Sequence, residues 1–198
     1  MPIAALMSTR RNSGLLFALL VSLLSGAGPA PAEATQPVAP EAASPATSTA
    51  ARQAAVAQAA FAKFRATDIE GRELTASSMR GRVVILDFWA TWCAPCLKEL
   101  PTYQRLRREH DASRLEIIGV SVDVLDRRGL VSWLNRQQVT WTTIHDRRGY
   151  SGELAQQFKL ASLPTTYVFD ADGKLVAANV RGERLIETVA KILSPPAR

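Results

Sequence analysis

Nearly continuous apolar runs alternate with stretches of helical spacing from residue 61 to the end of the chain. The runs at 83–89 and 115–122 are typical of central strands that are covered on both faces of a sheet. Between the runs, apolar residues recur every three or four positions, which is the spacing of a helix with one buried face. The alternation predicts one α/β domain at 61–198. The other predicted strands are 140–144, 165–169 and 174–181, and the predicted helices are 129–138, 152–160 and 183–193.

Two predicted hairpins flank this central part of the domain. The opening hairpin occupies residues 64–75 and turns at Glu70-Gly71. The closing hairpin turns at Asp172-Gly173, a dipeptide that favours tight connections between antiparallel strands. Gly182 ends its second strand and separates it from the last helix.

The first 60 residues differ in composition from the domain. An arginine pair, an apolar run at 15–24 and small residues around Ala32 predict an export signal at 1–32. The apolar run is shorter than the roughly 20 residues that a membrane-spanning helix needs, which favours cleavage over a permanent anchor. Residues 33–60 are rich in alanine, proline, serine and threonine, and they are predicted to form a tether with a helix at 53–64.

The charge of the chain is modest. The formal net charge is +6, and about +4 remains once Arg10 and Arg11 leave with the signal. The other arginines form short scattered clusters without interleaved aromatic residues, so nucleic acid is not a predicted partner. Solvated helix and loop surfaces account for these clusters.

Both cysteines of the chain lie in the segment WCAPC at 92–96, after the strand at 83–89 and before a stretch of helical spacing. Cys93 is predicted in the cap region of that helix, where free N–H groups and the positive dipole end favour a thiolate. Cys96 lies one turn further in, close enough to form a disulfide and shielded from solvent. Pro95 suits the first helical position, because the N–H that proline lacks would have no partner within the helix there. The segment predicts a redox pair in which an exposed Cys93 attacks and a buried Cys96 resolves the mixed disulfide.

Other interpretations of the cysteine pair remain. A structural disulfide would close a ring of only four residues and restrict the unfolded chain little. A structural zinc site needs four ligands, and beyond the thiols the chain offers only His110 and His145, without the required spacing, so no metal is predicted. A copper-binding assembly factor stays as an alternative because two thiolates suit Cu(I), although Met79 is the only methionine outside the predicted signal.

From residue 88 to residue 101 the sequence is FWATWCAPCLKELP. This segment resembles the active site of the thioredoxin superfamily. Within it, Glu99 followed by Leu100-Pro101 resembles the extracytoplasmic TlpA, ResA and DsbE group, which includes the thioredoxins of cytochrome c maturation. The resemblance extends over 61–193. It implies a thioredoxin fold with an extra N-terminal β-hairpin and a central α/β insertion, and the activity of a protein-disulfide reductase without a cofactor.

A second segment, Ser162-Leu163-Pro164-Thr165-Thr166, precedes the closing hairpin. Spacing alone favours a trans bond, since only about 5% of X-Pro bonds in folded proteins are cis. The matching proline of thioredoxins is cis and faces the cysteines, so the resemblance implies a cis bond before Pro164. Leu163 would then offer its backbone N–H and C=O to an extended polypeptide. The predicted substrate site comprises Trp92, Leu163 and Pro164.

Two acidic residues bear on proton transfer. Asp87 matches the buried aspartate of ordinary thioredoxins, and Glu99 matches the glutamate of the TlpA-like group, whose members more often carry asparagine at the first position. An acid in an apolar strand is costly unless it is functional or paired, so a role is expected for Asp87. Glu99 could instead have only a structural role, in which its negative charge interacts favourably with the helix dipole in the first turn. We expect both near the sulfur of Cys96, with at least one titrating above its usual value near 4. The predicted catalytic residues are Cys93, Cys96, Asp87 and Glu99.

The residues between the cysteines favour a reductant. Ala94 and Pro95 add no charge or hydrogen-bond donor that would stabilise a thiolate, as strong oxidants do. A reductant exported to an oxidising periplasm needs electrons from elsewhere, and the resemblance implies a membrane-embedded thiol electron donor. The predicted substrates are oxidised cysteine-containing proteins, with apocytochrome c as the best-known case in the family and other exported cysteine proteins as the alternative.

Overall fold

A computed structural model of the protein describes residues 45–194, which begin with helix α1 (Pro45–Ala62). The end of α1 belongs to the core, because Phe61 is 2% exposed and stacks on Phe169 with 3.7 Å between ring centroids. Ala57 and Ala60 of the same helix are 0% and 5% exposed, so the packed part of the chain begins before the predicted boundary at residue 61 and the end of the predicted tether is a packed helix. Alanine has the highest helix propensity, and its small side chain lets the helix lie close to the sheet.

The predicted export signal at 1–32 lies outside the described residues. Within 45–194, no helix has the length and apolar character needed to cross a membrane.

The opening hairpin forms as predicted. Strand β1 (Arg65–Thr67) pairs with β2 (Glu73–Thr75) in antiparallel register. Gly71 in the connection has a φ of +86°, a backbone conformation that glycine adopts without steric penalty. Asp68, directly after β1, pairs with Ile144 and so joins the hairpin to the edge of the main sheet.

The main sheet has five strands in the order β5-β4-β3-β6-β7. The central strands β3 (Val83–Trp89) and β4 (Leu115–Ser121) are parallel and buried at every position. β5 (Thr142–His145) continues the parallel part of the sheet. On the other side, β6 (Thr165–Phe169) and β7 (Leu175–Ala178) form the antiparallel closing hairpin. This is the predicted thioredoxin-type sheet, and the predicted α/β insertion adds β5 beside β4 at its edge.

Within residues 45–194, five further α-helices cover the two faces of the sheet. They are α2 (Ala94–Leu97), α3 (Leu100–Glu109), α4 (Arg127–Arg136), α5 (Glu153–Gln157) and α6 (Gly182–Leu193). Helices α1 and α5 pack with one apolar cluster, α3 and α6 with a second, and α4 with a third that contains both cysteines. The helical spacing that begins near Ala94 corresponds to two helices rather than one, since Pro101 in the first turn of α3 has no N–H to continue the hydrogen bonds of α2.

Alternation along β3 determines which helices the functional side chains meet. Val83 and Ile85 belong to the cluster that α3 and α6 cover, whereas Val84 and Leu86 belong to the cluster on the α1 and α5 side. Asp87 has the parity of Val83 and Ile85, so its side chain lies on the α3 and α6 face.

Candidate active site

The two cysteines lie at the turn between β3 and α2, as predicted. They form a disulfide, with 5.3 Å between their Cα atoms. Cys93 is the N-cap residue of α2, and its sulfur accepts a hydrogen bond from the backbone N–H of Cys96 at 3.3 Å. An N–H group that points at a sulfur supports a thiolate there once the disulfide is reduced.

The predicted difference in exposure between the cysteines is absent from this oxidised form. Cys93 is 5% exposed and Cys96 is 4% exposed. Both belong to an apolar cluster with Leu130 of α4, and Leu163 packs against that cluster. The exposed residues of the loop are instead Trp92, Ala94 and Pro95, and Trp92 is 63% exposed. The distinction between the sulfurs therefore rests on the cap position of Cys93.

Asp87 is held by neighbours from two other elements. Thr166, its partner in the β3–β6 register, donates a hydrogen bond from Oγ1 to Asp87 Oδ1 at 2.9 Å. The hydroxyl of Tyr103 lies 3.4 Å from Thr166 Oγ1. Burial raises the pKa of Asp87 to about 7, and the charge of Glu99 adds to this rise. Hydrogen bonding from Tyr103 and Thr166, together with the charge of Arg181, lowers the same pKa and only partly offsets the burial.

A small cavity connects Asp87 with the buried sulfur. Asp87, Cys96, Trp89 and Tyr103 are among the side chains that line its volume of about 10 Å³, which is close to the space that one water molecule occupies. The indole N–H of Trp89 is buried and has no hydrogen-bond partner among the described residues. The cavity can therefore hold a water molecule between the carboxyl and the thiol. The predicted proximity of Asp87 to Cys96 is present in the structure.

Glu99 has a different position from Asp87. It lies between α2 and α3, and its Oε2 accepts a hydrogen bond from the N–H of Gly182 at 2.8 Å. It therefore satisfies the start of α6, where backbone N–H groups have no partner within the helix. Its charge raises the pKa of Asp87, but the cavity beside Cys96 is lined by Asp87 and not by Glu99.

The sequence did not point to Arg181. Its guanidinium donates a hydrogen bond to the carbonyl oxygen of Pro164 at 2.6 Å, and its charge lowers the pKa of Asp87. Arginine before a helix is common on protein surfaces, and no local pattern marks a contact with a residue 17 positions earlier.

The bond between Leu163 and Pro164 is cis, as the resemblance implied. Leu163 packs against the cluster that contains both cysteines. Among residues 45–194, neither the backbone N–H nor the C=O of Leu163 has a hydrogen-bond partner. The turn thus presents unpaired backbone groups beside the disulfide.

A thioredoxin fold with a cysteine pair at the start of α2 and a cis-proline turn beside it defines the class of thioredoxin-like thiol-disulfide oxidoreductases. Comparison with known proteins agrees with this class. Residues 57–178 match the model of the AhpC/TSA family, and the chain belongs to that family.

Individual relatives agree with the predicted group. The thiol-disulfide oxidoreductase ResA of Bacillus thuringiensis subsp. konkukian is 29% identical over 130 residues, which cover 66% of this chain and 72% of that protein. A thiol-disulfide oxidoreductase from Bacteroides fragilis is 28% identical with a TM-score of 0.58, over 65% of this chain and 95% of that one. The thioredoxin domain of an oxidoreductase from Bacteroides vulgatus, 23% identical, shares the fold with a TM-score of 0.59 over 66% and 93% of the two chains. The predicted TlpA-, ResA- and DsbE-like assignment is confirmed.

We predict that Asp87→Asn stabilises the oxidised protein at alkaline pH. The folded-state pKa of about 7 lies above the unfolded value near 4, so the folded state binds an extra proton between these values. The unfolding free energy of the wild type therefore falls as pH rises from about 4 to about 7, and asparagine removes this dependence. The gain should reach up to about 4 kcal/mol at about pH 8, at roughly 1.4 kcal/mol per pH unit, and should vanish near pH 4.

Urea unfolding with the disulfide intact measures this difference. Asp170→Asn is the matched control, because Asp170 lies in the β6–β7 turn, where its carboxylate accepts the N–H groups of Asp172 and Lys174. The control should show no such gain. A gain of Asp87→Asn that is equal at acidic and alkaline pH would contradict the raised pKa.

Proposed function

We propose that the protein reduces disulfides in exported polypeptides through the Cys93–Cys96 pair. The observation that carries this proposal is the cavity that Cys96 shares with Asp87. A carboxyl with a pKa of about 7 can both accept and release a proton near neutral pH. A resolving thiol next to such a group can be activated without a metal or an organic cofactor.

The reaction follows from the positions of the two sulfurs. The Cys93 thiolate attacks one sulfur of the substrate disulfide, a mixed disulfide forms, and the first substrate thiolate leaves. Cys96 gives its proton to Asp87 through the cavity and attacks the Cys93 sulfur, which releases the second substrate thiolate and closes the Cys93–Cys96 disulfide. Two electrons pass from the dithiol to the substrate. The two substrate thiolates take up two protons: one is the Cys96 proton, which Asp87 releases, and the other comes from the solvent that received the Cys93 proton.

The cis-proline turn supports a polypeptide as the substrate. The unpaired N–H and C=O of Leu163 can bind an extended strand by backbone hydrogen bonds, a mode that accepts many side chains. Trp92 is exposed on the same loop as the cysteines and can pack against the strand. An unfolded polypeptide with an oxidised cysteine pair would fit this surface, and an apocytochrome c is such a substrate.

The reductive direction is supported by the charges around the pair. Asp87 lines the cavity beside Cys96 and becomes negative as the pH rises above its pKa of about 7, and negative charge there opposes a thiolate. The reduced form is thereby disfavoured, which makes the dithiol a better electron donor. The electrons that regenerate the dithiol of a periplasmic protein would come from a membrane-embedded thiol donor. The relative from Bacillus thuringiensis is named a thiol-disulfide oxidoreductase, which supports disulfide exchange as the chemistry.

The reduction potential is expected nearer to that of thioredoxin, about −270 mV, than to that of strong oxidants, about −120 mV. The reason is that neither Ala94 nor Pro95 supplies a group that stabilises the reduced thiolate. Equilibration of the purified protein with glutathione mixtures, followed by alkylation and mass measurement, gives the potential. A protein that stays fully reduced in mildly oxidising glutathione buffer would show that the direction is wrong.

The roles of the two cysteines can be separated by trapping. Cys96→Ser should accumulate mixed disulfides with an oxidised polypeptide through Cys93, because the thiolate at the helix cap attacks and no second thiol resolves the complex. The matched variant, Cys93→Ser, should trap at least about tenfold less. Non-reducing electrophoresis and mass spectrometry quantify both complexes, and equal trapping would remove the assigned roles.

A further inference from the structure

A second buried carboxylate, Asp123, binds the active-site loop. Asp87 precedes this loop in the chain, and Asp123 follows it. Asp123 lies two residues after β4 and is 1% exposed. Its oxygens accept the backbone N–H of Thr91 at 3.0 and 3.2 Å and the Thr91 hydroxyl at 2.7 Å. Ser121 donates a further hydrogen bond from Oγ at 2.8 Å. Thr91 stands two residues before Cys93, so Asp123 holds the segment that enters the redox turn.

These contacts suit an ionised carboxylate. Every group that contacts the Asp123 oxygens is a hydrogen-bond donor, and an ionised carboxylate only accepts. No lysine or arginine of the described segment lies within ion-pair distance of Asp123. The negative charge of Asp123 is therefore stabilised by hydrogen bonds alone. A neutral pair of side chains could fill the same space without the free-energy cost of burying a charge.

We propose that Asp123 is a positioning residue for Cys93, which anchors the redox loop through Thr91 and whose negative charge lowers the reduction potential of the cysteine pair. This inference rests on the disulfide exchange proposed above. The anchor fixes the turn in which the Cys93 N–H bonds to the carbonyl of Ala90 at 3.1 Å. The charge acts on the reduced protein, where it opposes a thiolate at Cys93, two residues from Thr91, and so favours the disulfide.

The position of Asp123 explains why its two effects can be separated experimentally. Asparagine at this position keeps the size of the side chain and an oxygen that accepts from Thr91, but it removes the charge. Valine in place of Thr91 has nearly the same shape as threonine but lacks the hydroxyl donor. The negative charge of Asp123 then remains, with one hydrogen bond fewer to stabilise it. Both substitutions weaken the same anchor, whereas they change the electrostatics at Cys93 in opposite directions.

The test is the reduction potential of the full chain, measured against glutathione for Asp123→Asn and Thr91→Val. For Asp123→Asn we expect the equilibrium constant to shift about tenfold toward the dithiol, which corresponds to a potential about 30 mV higher. Alkylation of reduced Cys93 at neutral pH should be about threefold faster, because a larger fraction is thiolate. Thr91→Val should show a potential equal to or below that of the wild type, and Thr91→Ser should restore wild-type exchange rates because it keeps the donor.

Asp170→Asn, at the far turn of the β6–β7 hairpin, is the control for loss of a carboxylate with backbone contacts and should leave the potential unchanged. A potential of Asp123→Asn equal to that of the wild type, with or without a loss of stability, would overturn the proposal. If Asp123→Asn does not fold, a potential of Thr91→Val above the wild type would overturn it instead. Failure of this proposal can be distinguished from failure of the proposed function. The proposed function fails if the wild-type dithiol does not reduce an oxidised polypeptide.

Discussion

The burial of the Asp87 carboxyl beside Cys96 is the constraint on which the arrangement of the site depends. β3 is buried along its whole length, and at Asp87 this removes most of the water that would stabilise a negative charge. Thr166 from β6 supplies a hydrogen bond, Tyr103 from α3 lies beside it, and the pKa nevertheless rises to about 7. The fold accommodates the acid because the carboxyl can stay protonated up to neutral pH. In the proposed function, the same property would let it exchange a proton with Cys96.

The neighbouring charges connect this carboxyl to the rest of the site. Glu99 binds the start of α6, and Arg181, the residue before α6, binds the carbonyl of Pro164. The segment after the cysteines, the cis-proline turn and the last helix are thus joined by two polar contacts. Glu99 and Arg181 act on the pKa of Asp87 in opposite directions. Loss of the Arg181 contact would free the carbonyl of Pro164 in the cis-proline turn, and loss of either charge would alter the proton affinity of Asp87 beside Cys96.

The sequence predicted those parts of the fold that local burial determines. The bounds 83–89 and 165–169 agree with β3 and β6 because fully buried strands have continuous apolar sequences. Ends of helices were less accurate, since they depend on caps such as the Asp126 carboxylate that accepts the N–H of Gly129 and starts α4 before the predicted residue 129.

Long-range contacts explain what the sequence could not predict. The burial of Cys93 arises from packing with residues of other elements, including Leu163. The hydrogen bond of Glu99 to Gly182 joins residues 83 positions apart, so no motif around the cysteines contains it. The packing of the end of α1 depends on the contact of Phe61 with Phe169, which composition does not reveal. The resemblance gave the cis bond before Pro164, which spacing alone would have assigned as trans.

The proton affinity of Asp87 can be measured directly by carbon-detected NMR titration of its carboxyl group in the oxidised and the reduced protein, with Asp87→Asn to assign the resonance. The structure predicts a titration at about pH 7 in the oxidised form and a higher value in the reduced form, where the negative charge of the Cys93 thiolate would oppose the carboxylate. A titration near pH 4 in both forms would contradict the role of Asp87 as the proton acceptor for Cys96.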